Sequence, residues 1–302
     1  MDPEQSSLLA ATLRDVLSRP DDVDVQLAEL GWDDVVAEDP AAATTLLFTE
    51  QGRALAATAL LDRVVLDALG VTADAVCYPL PADGTTPSST AAAVRGLVLR
   101  APRAGATVAV PLADGTVGLV EGLAAVPLRT FDPTLPWCEV SGPAPRAGVP
   151  GDWPGAVAAA HRALAAELVG TAGEVLRLAV QHTSTRTQFG APIAAFQAVR
   201  HRLADGHVAL TAAQALVEAS FADGTPLSAA AAKAQAGRAH ELASAHALQV
   251  CGAMGSSLEH PLHRFVARGT VLDALLGGWD HHVHELGRMV VSTGTTPVLI
   301  EV

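Results

Sequence analysis

Few architectures can absorb the second half of this chain, which consists of four long periodic runs with short connections. Residues 156–183, 194–222, 227–252 and 258–292 each carry large apolar residues three and four positions apart, the spacing that lines one face of an α-helix. On the first run Val157, Leu164, Leu168, Val175 and Leu178 mark a single stripe. Short connections force consecutive helices to run antiparallel, so the pattern predicts a four-helix bundle. Stretches such as "LSAAAAKAQAGRAHELASAHALQV" are rich enough in alanine for two bundles to approach closely, and a lone bundle would leave apolar area in water. An oligomer is therefore expected.

The segment "GPAPRAGVPGDWPG", residues 142–155, precedes the bundle, and its prolines and glycines block both regular structures. From 71 to about 142 the runs are short and valine-rich ("GLVLR", "TVAVPL", "TVGLVE", "WCEVSG") and are separated by turn signals such as "ADG", which predicts a compact β unit. Before that, 5–20, 24–31, 41–50 and 52–70 read as short helices, the last stopped by Gly70. The expected fold is α+β and mainly α. It divides into a small helical domain over 1–70, a small β domain over 71–146, and the bundle over 147–302.

With 302 residues, 50% hydrophobic and 17% charged, the chain can bury a large core. Its formal charge of -13 argues against a nucleic-acid partner, which requires a concentrated basic face. An anionic ligand must then be met locally. Lys233 is the only lysine. The start, "MDPEQSSLLAATLRDVLSRP", lacks the basic and apolar regions of a secretory signal, and no run is apolar long enough to span a membrane, so a cytoplasmic protein is expected. Cys77, Cys138 and Cys251 have no metal-binding spacing and read as reduced, buried thiols. His281, His282 and His284 cannot all share one helix face, and no metal is assigned to them.

Two stretches carry a resemblance: "TRTQFGAPIAAFQAVRHRLAD" at 185–205 and "LQVCGAMGSSLEHPLHRFVARG" at 248–269. With the order of helices, β unit and bundle, they resemble the flavin-dependent acyl-CoA dehydrogenases. In that family the bundle of one subunit reaches the FAD held by its neighbour through segments like these two. The resemblance puts Arg186 on the FAD pyrophosphate, where a guanidinium fork matches phosphate oxygens. It puts Gln188, Phe189 and Gln197 along the cofactor and Gln249 on its adenine side, with Gly252 and Ala253 letting the backbone come close. A second glycine is usual where Ala253 stands, so that approach is looser here. Taken singly, each of these residues reads as an ordinary solvated or packed side chain, and the order of the set is what points to a cofactor.

Acyl-CoA dehydrogenation requires a base for the α-proton while a hydride passes from the β-carbon to the flavin. The family's glutamate sits either before a glycine in a late loop, which falls here on Leu276 ahead of Gly277, or on the first bundle helix, at about Ala160 or His161. Neither place holds a carboxylate. Glu167, Glu259, Asp273, Asp280 and Glu285 are poor substitutes, and His161 is the least implausible, although a helix histidine is more often structural. Residues 76–112 also lack the tryptophan that packs on the flavin ring in the family, and the N-terminal helical domain is short. All three deficits fall on the half-site a subunit builds for itself, so no catalytic residue is assigned.

The chain resembles the shortened, base-lacking subunits of actinobacterial heteromeric acyl-CoA dehydrogenases, whose known substrates are CoA esters of steroid side chains or ring fragments. The implied role is to complete the FAD site of a full-length partner subunit acting on an acyl-CoA. Two alternatives stay open: a self-sufficient homo-oligomeric dehydrogenase, and a flavin-free degenerate paralogue that binds an acyl-CoA or a protein.

Overall fold

The computed structural model describes residues 3–19, 23–90, 92–145 and 147–295. Five helices open the chain: α1 (Pro3–Leu17), α2 (Val23–Glu29), α3 (Trp32–Glu38), α4 (Pro40–Ala54) and α5 (Leu60–Leu69). Asp39 starts α4 by accepting from the Ala42 amide, with Pro40 preset for the first turn. The helix α3 and the break at Leu55 were not anticipated from sequence. Leu55 takes a left-handed φ of 53° and ends α4, so the single helix expected over 52–70 is two elements.

The strands β1 (Ala75–Val76), β2 (Ala93–Val98), β3 (Thr107–Pro111), β4 (Thr116–Glu121), β5 (Ala124–Pro127), β6 (Cys138–Pro143) and β7 (Val149–Pro150) form two small sheets, ordered β1-β3-β4-β7 and β2-β6-β5. Val94, Val98, Val108, Val110 and Val140 close a small core between them together with Cys77 and Cys138.

The rest is helical. α6 (Trp153–Thr185) is capped by Asp152, which accepts from the Gly155 amide. A small hairpin of β8 (Thr187–Gln188) and β9 (Ala191–Pro192) leads to α7 (Gln197–Asp223), α8 (Pro226–Cys251), α9 (Leu262–Ala274) and α10 (Trp279–Thr293). The stripe expected on α6 is buried, but so is nearly every other side of it, including Ala160, His161, Ala165, Gly170 and Thr171. α6 is a central helix with α4 on one side and α8 on the other, which explains its weak amphipathicity. Gly170 and Gly52 allow α4 and α6 to cross backbone to backbone, since a Cβ at Gly170 would lie 2.0 Å from the Thr49 carbonyl oxygen and one at Gly52 2.1 Å from that of Glu167. One apolar core runs from Leu13 in α1 to Leu276 beyond α9.

The last helix expected from sequence, over 258–292, is two. The chain reverses between α9 and α10 at Leu275–Gly278, where Leu276 and Gly277 both take positive φ, 58° and 93°. The pair Gly277-Gly278 makes that break easy, whereas the leucine carries the strain of a left-handed residue. Among the described residues no helix is long and apolar enough to cross a membrane.

Candidate functional site

α6 ends at Thr185 and α7 begins at Gln197. The two-residue turn after α7 brings α8 back, so the end of α6, the start of α7 and the end of α8 share one end of the bundle. The edge-to-face rings of His182 and His260, 5.9 Å apart, and the 3.3 Å contact of Arg202 with His246 tie these elements together. Arg186, Gln188, Phe189, Gln197, Gln249, Gly252 and Ala253 all lie at this end and all are exposed. The Arg186 guanidinium has no hydrogen bond or ion pair among the described residues; only its backbone bonds, the amide to the His182 carbonyl and the carbonyl to the Ile193 amide. Gln188 donates only to its neighbour's carbonyl, at 2.8 Å.

Phe189 is 94% exposed, sits at a left-handed φ of 53° and meets Phe196 edge to face at 6.1 Å. A large aromatic held out in left-handed backbone is unfavourable in water. An unpaired fork donor, amide side chains and an aromatic pair on one open face suit a planar, phosphate-bearing cofactor along one wall only.

The other end is buried and of a different character. His161, on α6, and Leu276, in the α9–α10 reversal, are the two places where the resemblance puts a base, and they touch: Nε2 of His161 lies 3.0 Å from the Leu276 carbonyl oxygen. His161 is 4% exposed, Leu276 is fully buried and Ala160 is also fully buried. The His282 ring stands edge-on to His161 at 4.7 Å and His281 follows at 5.4 Å, while His284 turns away and bonds the Asp280 carbonyl through Nδ1.

Behind them Lys233 is fully buried. It donates to the carbonyls of Asp273 (2.7 Å) and Gly277 (3.1 Å) and lies 3.6 Å from the Asp273 carboxylate. Burial pushes the His161 imidazole well below its usual range, and the neighbouring His282 and Lys233 push the same way. Burial, Lys233 and His281 bring His282 down to about 4. Both rings are neutral at neutral pH.

The remaining acids lie elsewhere. Glu167 faces α4, where it accepts from Gln51 at 2.9 Å, and burial raises it to about 7 against the opposing pull of Arg268 and Gln51. Glu259 and Asp280 are exposed, and Glu285 pairs with Arg288. Trp137, near the start of β6, is buried in the main core.

Sequence reasoning missed the roles of Lys233 and Arg268. The signal for the first was a single lysine inside an alanine-rich helix. The second stood in a quoted stretch, but nothing in a one-dimensional pattern marks it as fully buried. Arg268 binds Asp132 at 2.5 Å, Thr134 at 3.1 Å and the carbonyls of Ala56 and Leu55 at 3.0 and 3.2 Å.

Residues 158–286 match the family model described as acyl-CoA dehydrogenase, C-terminal domain. The acyl-CoA dehydrogenase IpdE2 of Mycobacterium tuberculosis is 36% identical over 144 residues, spanning 48% of this chain and 45% of that protein. The chain thus matches less than half the length of this curated relative. Among solved structures, the Tcur3481-Tcur3483 steroid ACAD variant superposes with a TM-score of 0.76 at 21% identity, covering 96% of this chain and 99% of that one. The ChsE4-ChsE5 complex from Mycobacterium tuberculosis gives 0.73 at 19% identity, with 99% of both chains covered. At these identities the two structures show a shared fold.

Proposed function

We propose, from the match of residues 158–286 to the acyl-CoA dehydrogenase C-terminal domain model, that the chain is the base-lacking subunit of a heteromeric, FAD-dependent acyl-CoA dehydrogenase. The observation that carries this reading is a separation along α6. His161 and Arg186 are 25 residues apart by their numbering, roughly 37 Å along a helix. The exposed donors and the buried end where a base would lie therefore serve different active sites. One subunit can lend the first to a neighbour, while the second, with leucine and histidine where a carboxylate is needed, is not a dehydrogenase site of its own.

In this reading Arg186 holds the pyrophosphate of the partner's FAD. Gln188, Gln197 and Gln249 donate along it, Phe189 packs against it, and Gly252 and Ala253 keep the α8 terminus clear. FAD, when bound, supplies the oxidant for α,β-dehydrogenation of an acyl-CoA thioester. This chain's residues bind and orient it, exclude water from one wall and move no proton. The partner is a full-length acyl-CoA dehydrogenase-like subunit carrying the glutamate. Two proteins of the same fold, a steroid ACAD and the ChsE4-ChsE5 complex, support a bulky, steroid-type acyl group and a two-chain assembly.

A flavin spectrum decides the matter. FAD and acyl-CoA-dependent bleaching are expected only after co-expression with the full-length homologue encoded nearest to it, and are expected to be lost on Arg186→Ala in this chain. A lone chain that is yellow and turns over overturns the proposal in favour of a homo-oligomer. A complex that never binds flavin points to the degenerate binding paralogue.

A further inference from the structure

Beside the buried histidines lies a cavity of about 480 Å³, within the range of small-molecule sites. Its walls are of two kinds. Trp153, Pro154, Val157 and Ala158 from α6, with Ala230 from α8, make an apolar side. His161, His281 and His282, with Thr85 and Thr86 from the loop before β2, make a polar end. Trp153 fixes the loop by donating from Nε1 to the Thr85 carbonyl at 3.0 Å.

The polar end is under-satisfied. His282 is 4% exposed, and its Nε2, on the side of Gly277, is buried without a hydrogen-bond partner among the described residues, a state that folded proteins rarely leave unfilled.

The charged surroundings favour an anion. From α8, the Lys233 ammonium faces both imidazoles, and Arg162 adds to the positive field at His161 from α6 itself. From α9, the Asp273 carboxylate faces Lys233 and does not line this cavity. From α10, Glu285 lines the mouth but is paired with Arg288. Two neutral rings thus line this end, Lys233 and Asp273 lie together behind them outside the cavity, and Glu285 is the one carboxylate among the residues that line it. A carboxylate placed there meets donors and a positive field, and it lets one imidazole take up the proton that burial and Lys233 otherwise keep off.

We propose that this cavity is a binding site for a ligand with an apolar body and a carboxylate head, the body against Trp153 and Val157 and the carboxylate between His161 and His282. The site belongs to this chain alone and does not depend on the flavin-lending role.

The test is calorimetry on the purified full-length chain with cyclohexanecarboxylate as probe and cyclohexanecarboxamide, of the same shape without the charge, as control. Two neutral-pH buffers of different ionisation enthalpy are used. The carboxylate is expected to bind about tenfold or more tighter than the amide, a ratio typical of an added charge-assisted hydrogen bond, and to take up close to one proton on binding. His282→Phe, which keeps the ring volume, is expected to abolish the proton uptake and the preference for the carboxylate. Ala230→Leu is expected to fill the cavity and remove binding with the histidines intact, and a far-ultraviolet spectrum shows that both variants are folded. Equal binding of acid and amide, binding without proton uptake, a carboxylate preference that survives His282→Phe, or no binding of either probe overturns the proposal.

Discussion

Arg268→Met is the perturbation whose effect the structure sets most sharply. Arg268 is fully buried on α9 and holds three parts of the chain at once: Asp132 and Thr134 in the segment before β6, and the carbonyls of Leu55 and Ala56 where α4 ends in left-handed backbone. Methionine keeps the aliphatic stem but leaves the Asp132 carboxylate, 4% exposed, without its cation.

Breaking a buried ion pair from one side costs about 3–5 kcal/mol. Asp132 still accepts from the amide and hydroxyl of Thr134, at 2.9 and 2.7 Å, which favours the lower part of that range. At roughly 2 °C per kcal/mol for a chain of this size, Tm is expected to fall by about 6–10 °C. The pH dependence gives the cause. Burial pushes the Asp132 carboxyl up, but Arg268 and the Thr134 donors outweigh it and hold it below 3.8. In the native protein this stability is present above the unfolded pKa and is lost as pH falls through the lower folded one. Without Arg268 only the Thr134 donors oppose burial, so the variant's carboxyl rises and protonates earlier on acidification.

The deficit measured by urea denaturation should therefore shrink between neutral pH and about pH 4.5. Arg268→Met/Asp132→Asn should recover part of it at neutral pH. A loss under about 1 kcal/mol, or a deficit that does not change with pH, would refute the reasoning.

Three further outcomes are expected. Burial raises the Asp62 carboxyl, which accepts from the Tyr78 hydroxyl at 2.8 Å, from 3.8 to about 7; the folded state then binds the extra proton, stability falls as pH rises between those values, and Asp62→Asn should flatten the urea-denaturation profile there. Phe189→Ala removes a 94% exposed ring and should leave the melting temperature of the lone chain within about 1 °C while weakening flavin retention in the two-chain complex, measured by ultrafiltration and absorbance. Gly170→Ala puts a Cβ 2.0 Å from the Thr49 carbonyl oxygen and should push α4 off α6 at a cost of about 1–3 kcal/mol or more, read from chemical denaturation.

The bundle was legible because helix periodicity is local. The 3.6-residue spacing of Val157, Leu164, Leu168, Val175 and Leu178 and the proline- and glycine-rich run at 142–155 are readable within a few residues of where they act. The β unit was legible for the same reason, through valine runs and turns. What failed was whatever depended on the third dimension. α6 reads as amphipathic because its alanines count little in a periodic pattern, yet those alanines and Gly170 are what allow helices on every side. The reversal at Leu275–Gly278 was merged into one helix because leucine is a strong helix former, and tertiary contacts overrode that preference.

The seven residues that motif order groups together share one end of the bundle. The environment of His161 was not legible, because Lys233 and His282 reach it from helices 72 and 121 residues away by number.

The α9–α10 reversal suggests why such a chain keeps its shape without a carboxylate. Leu276 sits in left-handed backbone, which costs a branched residue about 1–2 kcal/mol. The turn is held from outside. His161 binds the Leu276 carbonyl, Lys233 binds that of Gly277, and Asp273 accepts the Trp279 amide at 3.2 Å as α10 begins. The leucine side chain, fully buried, returns more than the strain through burial alone, about 1.5–3 kcal/mol. A leucine at this turn thus stabilises the core, where an acid would have to hold a desolvated charge. The turn's geometry serves the start of α10, so on the proposed reading this end needs no base for the bundle, and with it the exposed face some 37 Å away, to stay intact.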